Sequence, residues 1–266
     1  MITIRVSGGL GNQMFQYAFG RAKALKNKSE FRIFFEHGKS SAKRDFLLEN
    51  FNIKSETAEK LKIKDKLFKI TEEEYTFSQK MYDISDGYFV GIWQSEKYFK
   101  DFENEIRADF VLKNDLSVKA SEIKNVIAST NSASIHVRRG DYALDERVNK
   151  KHGLVPLEYY ARATAYTTGK IVSPKFFVFS DDIAWAKANL SLPLSAVFVS
   201  GNGISECEEM VLMSLCKHNI IANSTFSWWG AWLNQNKNKI VIAPEKWFAS
   251  GADESDLIPE NWIRIQ

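Results

Sequence analysis

The sequence predicts an α/β protein with mostly parallel sheets, and three observations predict it. From residue 132 onward, apolar and β-branched runs alternate with stretches of helical period. That alternation is the pattern of a parallel sheet covered on both faces. The chain opens with a strand, a glycine-rich loop and a helix in direct succession. Three predicted strands of the second half end in polar clusters: Arg138-Arg139-Gly140-Asp141, Ser180-Asp181-Asp182 and Asn223-Ser224-Thr225. In open α/β sheets the carboxyl ends of strands face the ligand crevice, so these clusters are expected to share one site.

The elements follow in order. Residues 2–6 read as a strand, and 7–12 as a glycine loop. Gln13 to Lys26 reads as a helix, because Phe15, Ala18, Phe19, Ala22 and Leu25 recur at spacings of three and four. Phe31 to Phe35 is a second strand. The stretch 37–87 carries a weaker signal, with a lysine- and glutamate-rich helix expected over 54–69. Tyr88 to Trp93 is a strand, and Ser95 caps the helical turn that follows. Leu116 to Ala128 is a helix. The domain boundary is expected just after it, giving an N-terminal α/β domain over 1–128 and a Rossmann-like domain over 129–266. The C-terminal tail is free to cross back. In the second domain, strands are expected at 132–138, 175–180, 196–199, 219–222 and 240–243. Helices follow from near 157, after 182, over 206–216 and over 226–234. The connections should be right-handed crossovers.

Composition excludes several classes. The 266 residues are 44% hydrophobic and 26% charged, enough for a core without metal or disulfide staples. Thirty-six Lys and Arg balance 33 Asp and Glu, a net charge of +3 that argues against nucleic acid as the partner. Cys207 and Cys216 fall on opposite faces of one helix and read as reduced core residues. The first six residues run straight into a strand, and no apolar run reaches the ~18–20 residues of a membrane helix. A cytoplasmic protein is expected, with room for peripheral membrane association through its substrate.

The chemistry lies at the loop mouth and the strand ends. The glycine loop lacks the third glycine of a dinucleotide fingerprint and the Gly-Lys-Ser/Thr of a Walker loop. It is either a tight connection or an anion site at a helix N-terminus; Asn12 and Gln13 favour a ligand by adding side-chain donors. Alternation puts His136 and Arg138 on one strand face and Arg139 on the other. A planar guanidinium fork at a sheet's ligand end suits a phosphate. Arg139 and Asp141 read equally well as an ion pair closing the strand. Ser224 and Thr225, with Ser227 one turn in, suit either helix capping or a diphosphate. One of Asp181 and Asp182 caps a helix; the other is able to accept the paired N–H donors of a guanine edge. Two aspartates also suggest a metal, but no third ligand stands at the required spacing, so no metal is expected.

Four stretches carry a family resemblance. His136-Val137-Arg138-Arg139-Gly140-Asp141-Tyr142 resembles the H-x-R-R-G-D-Y motif of the α1,2-fucosyltransferases, glycosyltransferase family 11. Residues 8–18, 179–185 and 213–232 resemble three further motifs of that family. The resemblance implies a GT-B-like fold of two facing Rossmann-like domains, with the acceptor on the N-terminal side. It implies GDP-fucose as donor, a terminal β-galactoside as acceptor and inverting transfer to the 2-hydroxyl; no cofactor is expected, because a positive side chain and helix N-terminal N–H groups are able to neutralise the leaving diphosphate. It carries Arg138 over as the β-phosphate ligand. By analogy with α1,6-fucosyltransferases it carries His136 and Asp182 over to the guanosine and Ser227 to the phosphate. Asp141, and after it Glu146, are the candidates for general base. The competing expectations are a glycosyltransferase of another linkage or nucleotide sugar, and a glycan- or nucleotide-binding protein without turnover.

Overall fold

The computed structural model describes residues 1–35, 45–58, 69–71 and 75–266. Within them the chain forms two α/β units, each built on its own parallel sheet. The first comprises Met1–Asn114 with Asp253–Pro259, and the second Asp115–Ala252 with Glu260–Gln266.

The first unit contains strands β1 (Ile2–Val6), β2 (Phe31–Phe35), β3 (Glu56–Ala58), β4 (Lys69–Thr71) and β5 (Gly87–Val90), in the order β3-β2-β1-β5-β4. Its helices are α1 (Leu10–Asn27), α2 (Gln79–Asp83) and α3 (Glu103–Asp109). Central β1 is buried on both faces, Thr3 along with Ile2, Ile4 and Val6, as a strand between two parallel neighbours must be. The helix predicted over 54–69 falls largely outside the described residues; at its two ends lie strands β3 and β4. Ser95 caps a single 3₁₀ turn, Glu96–Tyr98, by accepting from Lys97 N.

Helix α1 starts at Leu10, earlier than the periodicity predicts. Asn12 N and Gln13 N both donate to Gly9 O, so the second half of the glycine loop is the helix's first turn. Its buried face stacks Phe19 on Trp93 at 3.9 Å with an interplanar angle of 2°. Beside that stack lies Lys23, fully buried, whose Nζ donates to Met81 O and Tyr82 O at 2.9 Å each. The ammonium sits 4.9 Å from the Phe89 ring centre. Burial, then nearby Lys26, lowers its pKa to about 8 from the usual 10.5. The folded state therefore binds fewer protons than the unfolded chain between those two values. The sign follows: this group's penalty is full below about pH 8 and is relieved as pH rises toward 10.5. Thermal melts across that range should show wild type gaining stability relative to Lys23→Met. Parallel curves would assign the titration elsewhere.

The second unit contains α4 (Val118–Ala128), β6 (Asn131–Val137), α5 (Gly140–Leu144), α6 (Glu146–His152), α7 (Leu157–Lys170), β7 (Pro174–Ser180), α8 (Ile183–Asn189), β8 (Val197–Phe198), α9 (Glu206–Leu215), β9 (His218–Ile220), α10 (Thr225–Leu233), β10 (Val241–Pro244) and β11 (Ile263–Ile265). The sheet order is β11-β10-β9-β6-β7-β8, all parallel. Strand β7 shows why both faces are dry. Phe176 and Val178 pack with Ile135, Val137, Tyr159 and Ala163, while Phe177 and Phe179 pack with Ala120, Ile127, Leu212 and Met213. Alternation sends successive residues into two different cores. Helix α4 contributes Ala120 and Ile127 to the second of these, which places it in the second unit. The division accordingly falls at Asn114/Asp115 instead of after residue 128. Cys207 and Cys216 are both buried and are not joined in a disulfide. Strand β11 and helices α5 and α6, none of them expected from the pattern, complete the unit.

Candidate active site

Register builds the centre of the site. β6 and β7 run parallel with Val137 opposite Ser180, so the next residues, Arg138 and Asp181, leave the sheet side by side. Arg138 Nη1 lies 2.9 Å from Asp181 Oδ2. Asp181 Oδ1 accepts from Arg139 N at 2.8 Å. Gly140 makes this approach possible: a Cβ there would lie 2.4 Å from Asp181 Oδ2. The other terminal nitrogen of Arg138, Nη2, pairs with Asp141 Oδ1. The expected Arg139–Asp141 pair does not form. α5 begins at Gly140, and one helical turn carries Asp141 round to Arg138. Arg139 instead stacks on Trp185 at 3.8 Å, with Nε 3.5 Å from Asp182 Oδ2. Burial opposes the charge of Arg138, but Asp181 and then Asp141 outweigh it and raise its pKa.

Asp182 is the N-cap of α8, and its Oδ1 accepts from Trp185 N at 3.0 Å. Its Oδ2 makes no hydrogen bond to Arg139, since 3.5 Å is too long for one. His136 is buried against Phe226, with ring centres 5.5 Å apart. Burial, then Arg138, depresses its pKa to about 3, so the imidazole is neutral. Its Nδ1 has no hydrogen-bond partner among the described residues.

At the end of β9, α10 starts with Ser224 as N-cap and no side-chain cap. Its first-turn N–H groups are left to an incoming acceptor. Ser224 is buried and Thr225 half-buried at this terminus. Ser227 is turned inward and donates to Ser224 O at 3.2 Å. Asn223 donates to His152 O, Gly153 O and Trp247 O, tying two loops to the strand end. Tyr142 joins this region to the arginine: its hydroxyl donates to Asn223 O at 3.3 Å, and its ring lies 5.2 Å from the Arg138 guanidinium. The same ring stacks on His152, with ring centres 4.7 Å apart. Burial, then Lys151, lowers His152 to about 4, so it too is neutral.

Two residues of the first unit were also expected at a ligand. Gln13 is fully buried, and its amide is spent on the backbone. Nε2 donates to Gly8 O and Asp45 O, and Oε1 accepts from Leu47 N. It holds the loop and has no donor to spare, which corrects the expectation. Asn12 is half-buried, and its Oδ1 accepts from Gln94 Nε2 at 3.0 Å. Glu146 begins α6, well exposed and paired with Lys150 at 2.9 Å. No group of three or more potential metal ligands occurs among the described residues. None of the described helices is long and apolar enough to cross a membrane.

Tyr142, His152 and the clamping role of Asp181 are not apparent in the sequence reading. A signal for the last does exist. An N-cap side chain bonds the N–H three residues on, and Asp182 stands three before Trp185 at the start of α8. Asp181 is then the aspartate left over for the arginine.

A guanidinium and an uncapped helix N-terminus stand together at the carboxyl ends of one parallel sheet, two groups of the kind that receive anions. In a chain of two Rossmann-like units, that plan is the GT-B-like one of nucleotide-sugar transferases. The chain belongs to glycosyl transferase family 11, whose model matches residues 1–266. It is 35% identical to an alpha-1,2-colitosyltransferase of Escherichia coli, over 100% of this chain and 99% of that one. It is 28% identical to galactoside alpha-(1,2)-fucosyltransferase 2 of Sus scrofa, over 100% of this chain and 80% of that one. Among solved structures, the NodZ alpha-1,6-fucosyltransferase soaked with GDP-fucose superposes with a TM-score of 0.52 at 13% identity, covering 87% of this chain and 91% of that one. At that identity the likeness concerns the fold.

Proposed function

We propose that this family 11 glycosyltransferase moves L-fucose from GDP-β-L-fucose to the 2-hydroxyl of a terminal β-galactoside, with inversion. The observation that carries the proposal is Arg138, held at the carboxyl end of β6 within the same cluster as the uncapped N-terminus of α10. The β-phosphate takes the guanidinium, and the α10 N–H groups take the remaining phosphate oxygens. Asp182 Oδ2, outside hydrogen-bond range of Arg139, receives the guanine N–H donors. Neutral His136 lies beside the guanosine.

In the reaction, the acceptor oxygen attacks C1 of fucose as the bond from C1 to the phosphate oxygen breaks. The electron pair goes to the β-phosphate, where Arg138 meets the growing charge. The acceptor proton goes to a carboxylate, for which Asp141 is better placed than solvated Glu146. Helix N–H groups and arginine do the charge neutralisation that a divalent cation performs elsewhere.

The test is GDP release from GDP-fucose with and without lactose, followed by linkage analysis of the product and repetition in EDTA. Acceptor-dependent release and a 1→2 linkage are expected, with activity kept in EDTA. Loss in EDTA restored by Mn²⁺ or Mg²⁺ would overturn the metal-free reading. A second reading keeps the linkage and changes the sugar to colitose, favoured by the 35% identity to the colitosyltransferase. Running the fucosyl and colitosyl nucleotides side by side separates the two.

A further inference from the structure

The charge around Arg138 has the wrong sign for an anion site. Two arginines, Arg138 and Arg139, face three aspartates, Asp141, Asp181 and Asp182, an excess of one negative charge. Both terminal nitrogens of Arg138 are already held by carboxylates. A phosphate brought to this fork meets two carboxylates competing for the same N–H groups, so one of them has to leave.

The two carboxylates are not equivalent. Asp181 stands at the end of β7, its side chain 26% exposed, with its second oxygen fixed by Arg139 N. It is wedged against Gly140 so closely that no Cβ fits between them. Asp141 is 45% exposed, and its side chain has no hydrogen-bond partner besides Arg138 among the described residues. It rides on α5, a helix of five residues with none buried, whose Leu144 is 89% exposed. Rotating Asp141 away costs one ion pair; moving Asp181 would undo the strand-end geometry.

We infer that Asp141 is a latch: in the donor-free enzyme its carboxylate occupies the β-phosphate's place on Arg138, and donor binding displaces it while Asp181 keeps the guanidinium aimed. The latch rests on the reading of Arg138 as phosphate ligand. It also gives the carboxylate a timed role. Asp141 is released beside the reacting centre only when a diphosphate is present, which is when a proton acceptor is needed. Without a donor the arginine stays covered, and stray anions have to displace a tethered carboxylate to reach it. Affinity for the donor is lowered by the strength of the intramolecular contact.

The experiment is calorimetric titration of GDP into wild type, Asp141→Asn, Asp141→Ser, Asp181→Asn and Arg138→Ala, with melting curves to confirm folding. Removing a half-exposed competing pair should tighten GDP by about two- to fivefold in both Asp141 variants. Asp181→Asn should weaken it, and Arg138→Ala should weaken it more than tenfold. A residue that merely supported the site would weaken GDP when replaced, so the direction of change is diagnostic. Unchanged or weaker binding in the Asp141 variants, with Arg138→Ala still defective, overturns the latch and leaves the phosphate reading standing. Normal binding by Arg138→Ala overturns both.

Discussion

Arg138→Ala should lower kcat by ~10²–10³, about 3–4 kcal/mol of lost transition-state stabilisation, as for other preorganised donors aimed at a developing anion. The guanidinium is anchored on one side by Asp181 at 2.9 Å, so it spends little to reach its working position. On the proposed reading, charge accumulates on the β-phosphate as GDP departs, and a fork aimed there binds the transition state better than the ground state. Lysine should restore little, because one ammonium cannot hold Asp181 and a phosphate oxygen in the same plane. Arg139→Ala is the control. Its side chain packs on Trp185 and faces Asp182, so its loss should register in melting temperature through α8 and leave kcat near normal. Steady-state kinetics and melts of the three variants decide the matter. If Arg138→Ala retains more than about a tenth of kcat, far above the expected penalty, the leaving-group role is wrong.

Asp181→Ala and Asp182→Ala should fail in different ways despite being neighbours. Removing Asp181 frees Arg138 Nη1 and Arg139 N together. A hydrogen bond that involves charge contributes about 1.5–3 kcal/mol, and losing one such contribution from the transition state corresponds to a kcat loss of about ten- to a hundredfold. Binding of GDP and ADP should weaken alike, because the defect lies at the phosphate. Removing Asp182 costs the cap on Trp185 N, about 1 kcal/mol of stability, and, on the proposed reading, the acceptor for guanine. GDP should then weaken while ADP does not. Titrations with both nucleotides are the measurement. Equal losses for GDP and ADP in Asp182→Ala would end the guanine assignment.

Much of this protein was legible from the sequence because its signals are local. Period and alternation located β1, β2, β6, β7 and α10 to within a few residues, since short apolar and β-branched runs and helical spacing are local patterns. The polar ends of those runs marked residues that the structure brings together, because a parallel sheet presents its strand ends on one edge. Four motifs in order marked the family, and its model spans the whole chain. The start of α1 was missed because glycines read as loop, although a helix N-terminus tolerates them.

Pairing was decided by tertiary structure alone. Strand alternation set Arg138 and Arg139 on opposite faces, but both lie past the last ladder pair, where alternation no longer governs. Which aspartate meets which arginine then depends on the register of β6 against β7 and on the turn of α5, and neither is written in residue spacing. Gln13 teaches the same lesson from the other side. Its residue type suggested a free donor, but Gly8 nearby and a loop distant in sequence, through Asp45 and Leu47, together take both donors of its amide and its oxygen. Residue types show which chemistry is available. Only the fold shows which groups are already satisfied, because a hydrogen bond made at home is one that a ligand must break.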